Sequence, residues 1–119
     1  MSLESNKAGR EGEDLAARLL LKKGFRIVER NYHFGKGEID IVARDGETLV
    51  FVEVKYRQNL EYGLPEYSIT PQKIKQLRKM ARCYLFEKNI DETAVRFDVV
   101  AILEEIPGKP LVNYYKDAF

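Results

Sequence analysis

The chain has 119 residues, 45% of them hydrophobic and 33% charged, with a formal net charge of +1, which fits one globular domain with a real core and no global basic signature. One cysteine and one histidine exclude an intrachain disulfide and argue against a structural zinc site. No apolar run reaches the roughly 20 residues of a membrane span or forms a secretory leader, so a cytoplasmic protein with no membrane partner is expected.

Residues 1–6 are expected to stand outside the fold. From Lys7 to Lys23, Ala8, Gly12, Leu15, Ala16, Leu19 and Leu20 recur at helical spacing, and Gly24 supplies the stop. Phe25–Tyr32 reads as a strand, with Phe25, Ile27 and Glu29 alternating against Arg26, Val28 and Arg30. The imperfect alternation places it near a sheet edge. After a short connection at residues 33–36, Glu38–Arg44 and Glu47–Lys55 read as two central strands around Asp45-Gly46. That dipeptide is a strong signal for a two-residue hairpin turn.

A longer loop, Tyr56–Ile69, precedes a second helix. Thr70 is its N-cap and Pro71 its first residue, Ile74, Leu77, Ala81, Tyr84 and Leu85 form its apolar stripe, and Asn89 ends it. Val95–Leu103 is a further apolar strand. Pro107-Gly108 breaks it, and Leu111–Tyr115 adds an edge strand within a C-terminal extension, residues 104–119. The order is α-β-β-β-α-β with this last strand added. The strands on either side of the second helix should be parallel, in a mixed central sheet flanked by helices.

The charges of the hairpin carry the chemistry. A turn at Asp45-Gly46 pairs Arg44 with Glu47, Val42 with Leu49, Asp40 with Phe51 and Glu38 with Glu53. One face then collects Ile39, Ile41, Ala43, Thr48, Val50, Val52 and Val54. The other collects Glu38, Asp40, Val42, Arg44, Glu47, Leu49, Phe51, Glu53 and Lys55. Asp40 and Glu53 become diagonal neighbours, with Cβ atoms about 7–8 Å apart. Two carboxylates at that separation repel, and a divalent cation such as Mg²⁺ or Mn²⁺ relieves the repulsion. Lys55 is placed to stabilise charge developing on a phosphate. The alternation taken alone favours a solvated face. Against that reading, Leu49 and Phe51 share the face, and a central strand between two helices should be covered on both sides.

Asp40 followed by Glu53-Val54-Lys55 resembles the D…(D/E)-x-K signature of the restriction-endonuclease-like PD-(D/E)xK nuclease superfamily, whose common core has the same element order. The stretch "GREGEDLAARLLLKKGFRIVERNYHFGKGEIDIVARDGETLVFVEVKYR" is more closely similar to the YraN-type family, UPF0102. That resemblance covers about Lys7 to Leu103. Archaeal Holliday junction resolvases are similar at greater distance. Ile39 stands where the superfamily signature has proline. The resemblance implies a Mg²⁺- or Mn²⁺-dependent endonuclease acting on DNA, branched or otherwise structured, with a homodimer as its assembly. It implies metal ligation by Asp40 and Glu53 and a catalytic role for Lys55. Glu13, on the first helix, matches a further carboxylate ligand and is expected to project towards Asp40, while Glu11 and Asp14 point elsewhere.

Phosphate contacts are expected from Lys73, which falls inside the apolar arc of the second helix, from Arg57, and from Lys75 and Arg78 on its basic face beside Lys79 and Arg82. Glu38 is a secondary candidate. Tyr56, Tyr62 and Tyr67 are candidates for stacking on bases, and His33 has no visible partner. The alternative function is a nucleic-acid-binding module of the same fold that cuts weakly or not at all. A third is a purely structural domain.

Overall fold

Both helices stop where the sequence supplies a left-handed residue. In the computed structural model, which describes residues 3–119 and their side chains from Gly9 onward, helix α1 spans Leu3–Lys22 and helix α2 spans Pro71–Glu87. Gly24 (φ 91°) follows the first and Asn89 (φ 55°) the second. Each end is closed by the same pair of bonds: Phe25 N–H to Leu20 C=O and Gly24 N–H to Leu21 C=O, both 3.0 Å, then Ile90 N–H to Leu85 C=O at 2.9 Å and Asn89 N–H to Phe86 C=O at 3.2 Å. At its start α2 is capped by the Thr70 hydroxyl, which accepts from Lys73 N–H at 3.2 Å. The backbone of residues 3–6 belongs to α1, and residues 1 and 2 lie outside the described residues.

The strands are β1 (Arg26–Phe34), β2 (Gly37–Asp45), β3 (Thr48–Arg57), β4 (Ala94–Leu103) and β5 (Leu111–Tyr115), with a 3-10 turn at Pro65–Ser68. They form one sheet in the order β1-β2-β3-β4-β5. Only β3 and β4, joined through α2, are parallel. On one face α1 packs Ala16, Ala17 and Leu20 against Ile41, Ala43, Val50, Val52, Val100 and Ile102. On the other, α2 packs Met80, Ala81 and Tyr84 against Tyr32, Ile39, Val42, Leu49 and Phe51. Each fully buried aliphatic side chain contributes about 1.5–3 kcal/mol, so both faces hold the sheet. Among the described residues no helix is long and apolar enough to cross a membrane.

Three details differ from the sequence reading. The turn lies one residue later, with Gly46 (φ 60°) and Glu47 at its centre. Only the first central residue has positive φ, the Gly-first pattern of a II′ turn. Asp45 therefore pairs with Thr48, Arg44 with Leu49 and Val42 with Phe51. A turn moved by one residue moves the partner by two, so which residues of β2 and β3 share a face near the turn is unchanged. Counting on, Asp40 would lie directly opposite Glu53, but the ladder stops at Ile41↔Val52.

Second, β1 is bulged between Ile27 and Glu29. Ile27 packs with the α1 core while Glu29 reaches Lys88 beyond α2, so the two do not share a face as the alternation suggests. Third, Ile39 lies under α2 and not beside Ile41. Asn31 takes a left-handed conformation (φ 54°), which Asn tolerates better than most residues. It falls between the pairs Arg30↔Ile41 and Tyr32↔Ile39, across from Asp40. At that level both strands change which face their side chains serve.

Candidate active site

The change of face at Asp40 gives its carboxylate an unusual place. Instead of standing over either core, Asp40 Oδ2 accepts the Val54 N–H of β3 at 2.8 Å. That is the region where the regular ladder has just ended. The Glu53 carboxyl is its neighbour. Burial first, then hydrogen bonding to and repulsion from Glu53, push the Asp40 carboxyl up to about 9, with Glu38 adding slightly and the Val54 N–H pulling the other way.

Glu53 is 5% exposed, and its Oε2 has no hydrogen-bond partner. Two ammonium groups stand near that oxygen: Lys73 Nζ of α2 at 3.2 Å and Lys55 Nζ of β3 at 3.9 Å. These contacts are electrostatic without hydrogen-bond alignment, which leaves the oxygen under-satisfied. A buried charged oxygen in that state costs free energy unless something else ligates it.

A cavity of about 640 Å³ opens beside the pair. Glu13 from α1, Asn31 from β1, Glu38 and Asp40 from β2, and Lys55 and Arg57 from β3 are among its lining residues. Glu53 lies behind it. Gly12 sets how closely α1 approaches. A Cβ there would meet the Tyr56 side chain at 2.8–2.9 Å, so only glycine lets the helix seat Glu13 at this depth.

Glu13 lines the cavity with Asp40, but its carboxylate already accepts from Arg30 Nε at 3.1 Å. Asp14 stays out of the cavity lining, as expected: it accepts from the same guanidinium at 2.6 Å, and these bonds clamp α1 to β1 and raise the Arg30 pKa. Glu38 is exposed at the rim, 3.9 Å from His33 Nε2, so His33 does have a neighbour. Arg57 lines the cavity while donating to the Tyr56 carbonyl at 2.9 Å. Lys73 reaches Glu53 without lining the cavity. The structure does not bring Lys75 or Arg78 to it. Both are exposed on α2, and the Arg78 guanidinium lies 5.9 Å from the Phe119 ring centroid.

Of the tyrosines, Tyr62 lines the cavity and is 83% exposed, Tyr56 lines it with its hydroxyl donating to Glu104 at 2.6 Å, and Tyr67 is exposed outside it. The sequence reading overlooked Asn31, whose backbone sets the change of face. It also overlooked Asp98, fully buried in β4. Asp98 accepts from Arg96 Nε at 2.9 Å and Nη2 at 3.0 Å, from the Tyr114 hydroxyl, and from Asp117 N–H at 2.9 Å. Its available signal was an aspartate in an apolar strand with an arginine two residues earlier, on the same face.

Among the described residues no three His, Cys, Asp or Glu side chains converge as a cluster that could hold a metal ion. The protein's hard oxygen donors at this point are two, and Mg²⁺ commonly takes one or two carboxylates and fills its remaining positions with water and phosphate oxygens. The orphaned Glu53 oxygen beside Asp40 fits such an ion.

A mixed five-stranded sheet with a helix on each face, in the order α-β-β-β-α-β, is compatible with a restriction-endonuclease-like core. The Uncharacterised protein family UPF0102 matches residues 12–102, and the chain belongs to that family. It is 45% identical to a UPF0102 protein of Geotalea daltonii over 98% of this chain and 91% of that protein. It is 50% identical to one of Chlorobium limicola, with 100% and 96% covered, and 46% identical to one of Geobacter sulfurreducens, with 93% and 87% covered.

Proposed function

We propose that this protein is a cytoplasmic, metal-dependent endodeoxyribonuclease of the PD-(D/E)xK superfamily, hydrolysing phosphodiester bonds in branched or otherwise structured DNA. The observation that carries the reading is the Asp40–Glu53 carboxyl pair behind Lys55 at a cavity. Asp40 and Glu53 would hold Mg²⁺ or Mn²⁺, with Glu13 as a further donor if it is released from Arg30. When bound, the ion supplies charge at a phosphate oxygen and lowers the pKa of a bound water. Lys55 offers an ammonium to the scissile phosphate from the cavity wall. Arg57 offers a guanidinium beside it, and the exposed Tyr62 ring offers a face for an unpaired base. Two-fold assembly would set two such sites on a branched substrate.

The second reading is a nucleic-acid-binding module that cuts weakly or not at all. What favours it is the absence of a three-carboxylate cluster among the described residues, with Glu13 occupied by Arg30. One assay separates the two: linear, nicked, flapped and four-way DNA incubated with Mg²⁺ or Mn²⁺, comparing the parent with Lys55→Ala. Cleavage in the parent that is lost in the variant supports the enzyme. Salt-sensitive binding of DNA with no cleavage of any of the four supports the module.

A further inference from the structure

The two lysines near Glu53 are not equivalent. Lys55 stands 3.9 Å from Glu53 Oε2 and lines the cavity, where a substrate would meet it. Lys73 is nearer, at 3.2 Å, comes from the opposite helix and does not line the cavity. An ammonium at that distance from a carboxylate that is 5% exposed acts as the internal counter-ion of that carboxylate. A divalent ion ligated by the same oxygen would bring two positive charges into the space that Lys73 now neutralises. At such separations repulsion between cations in a partly buried site is large.

Resting on the metal reading above, we propose that Lys73 is a resident counter-ion which competes with the divalent cation for Glu53, so that metal entry requires the Lys73 ammonium to leave. Lys73 is thus a positioning residue that acts through Glu53. It holds the buried carboxylate in place when no metal is bound and sets how much metal is needed to fill the site. This differs from a phosphate contact, the role its position in the helix suggests. A phosphate ligand held clear of the metal position would strengthen DNA binding and leave Mn²⁺ affinity without DNA unchanged. A counter-ion lowers Mn²⁺ affinity in the absence of any DNA.

The test measures Mn²⁺ binding to the full chain without DNA, from the electron paramagnetic resonance signal of free Mn²⁺. Lys73→Met keeps the apolar stem and removes the charge. It should bind Mn²⁺ about tenfold more tightly, while losing thermal stability in chelator. Lys73→Arg keeps the charge and should stay within about threefold of the parent. Lys75→Met, which removes a charge from the exposed face of the same helix, should change nothing. If Lys73→Met fails to fold, Lys73→Gln takes its place with the same expectation. Equal or weaker Mn²⁺ binding by the charge-removing variant, with binding intact in the parent, overturns the counter-ion role and leaves the nuclease reading standing. An equal tightening in Lys75→Met also overturns it, since the effect would then be bulk charge. No Mn²⁺ binding in the parent or in any variant overturns both.

Discussion

Asp40→Asn should make the metal-free protein more stable, with a pH dependence that identifies the cause. The parent's Asp40 carboxyl moves from an ordinary 3.8 to about 9 in the folded state, chiefly through burial and secondly through Glu53. A raised acid is a cost to the folded state above its ordinary value, because the unfolded chain ionises freely and the folded chain must hold the proton. The cost is nil below about pH 4, grows by up to about 1.4 kcal/mol per pH unit, and levels off near 9. At pH 7 that sets a ceiling of roughly 4 kcal/mol. Rearrangement of the surroundings when Asp40 ionises lowers that to about 1–3 kcal/mol. Asparagine keeps an oxygen for the Val54 N–H and offers an N–H to Glu53, so little is lost in exchange.

Thermal unfolding in chelator, from pH 4 to pH 9, reads this directly. The variant should match the parent near pH 4 and exceed it by roughly 5–15 °C at pH 7. Added Mg²⁺ should raise the parent's Tm by mass action and the variant's much less. A gain that is the same at every pH, or a variant less stable than the parent at pH 7, would refute the argument that Asp40 is a strained, buried member of a carboxyl pair.

Other outcomes follow from the same geometry. Gly12→Ala should destabilise by about 1–3 kcal/mol in denaturant titration, because the new Cβ would press on Tyr56 at 2.8–2.9 Å and lift α1 from β3. Asp98→Ala should cost about 3–5 kcal/mol in the same titration, since it leaves Arg96 and Tyr114 facing a buried space, although Arg96 keeps its contact with Asp45 at 2.8 Å. Burial first, then its bond to Glu104, push the Tyr56 hydroxyl up to about 12, so its contribution is whole below pH 10 and is lost as pH rises through 12. Alkaline unfolding curves of Tyr56→Phe should lack that part of the decline.

The order of elements was legible because periodicity and punctuation agree: helical spacing up to Gly24, Thr70-Pro71 at a helix start, alternation around a Gly-containing turn. Each of those signals is local. The exact turn was not legible, because Asp45-Gly46 and Gly46-Glu47 are both acceptable two-residue loops and only packing selects between them. The strand contacts of Asp98 were hidden for a related reason. Its partners Tyr114 and Asp117 come from the last strand and the residues after it, and no pattern within β4 announces them. Lys73 shows a partial success. Its place in an apolar arc marked it as unusual, but which atom it meets depends on where β3 runs beneath α2.

The site shows why a motif read on a regular strand can find the right residues with the wrong geometry. Had β2 kept alternating past Ile41, Asp40 would lie under α2 with Phe51 and Glu53, closed off from the cavity on the α1 side, and Ile39 would lie beneath α1. The extra residue at Asp40, matched by left-handed Asn31 across the pair, reverses that. Ile39 takes the dry place under α2, and the aspartate is left at the point of change, where it touches Glu53 on one side and the cavity on the other. A buried carboxyl pair and an open approach make opposite demands on a regular strand, because one face must be sealed for the first and exposed for the second. A change of face at the motif aspartate meets both demands at once, with the Val54 N–H filling the hydrogen-bonding gap that the interrupted ladder leaves.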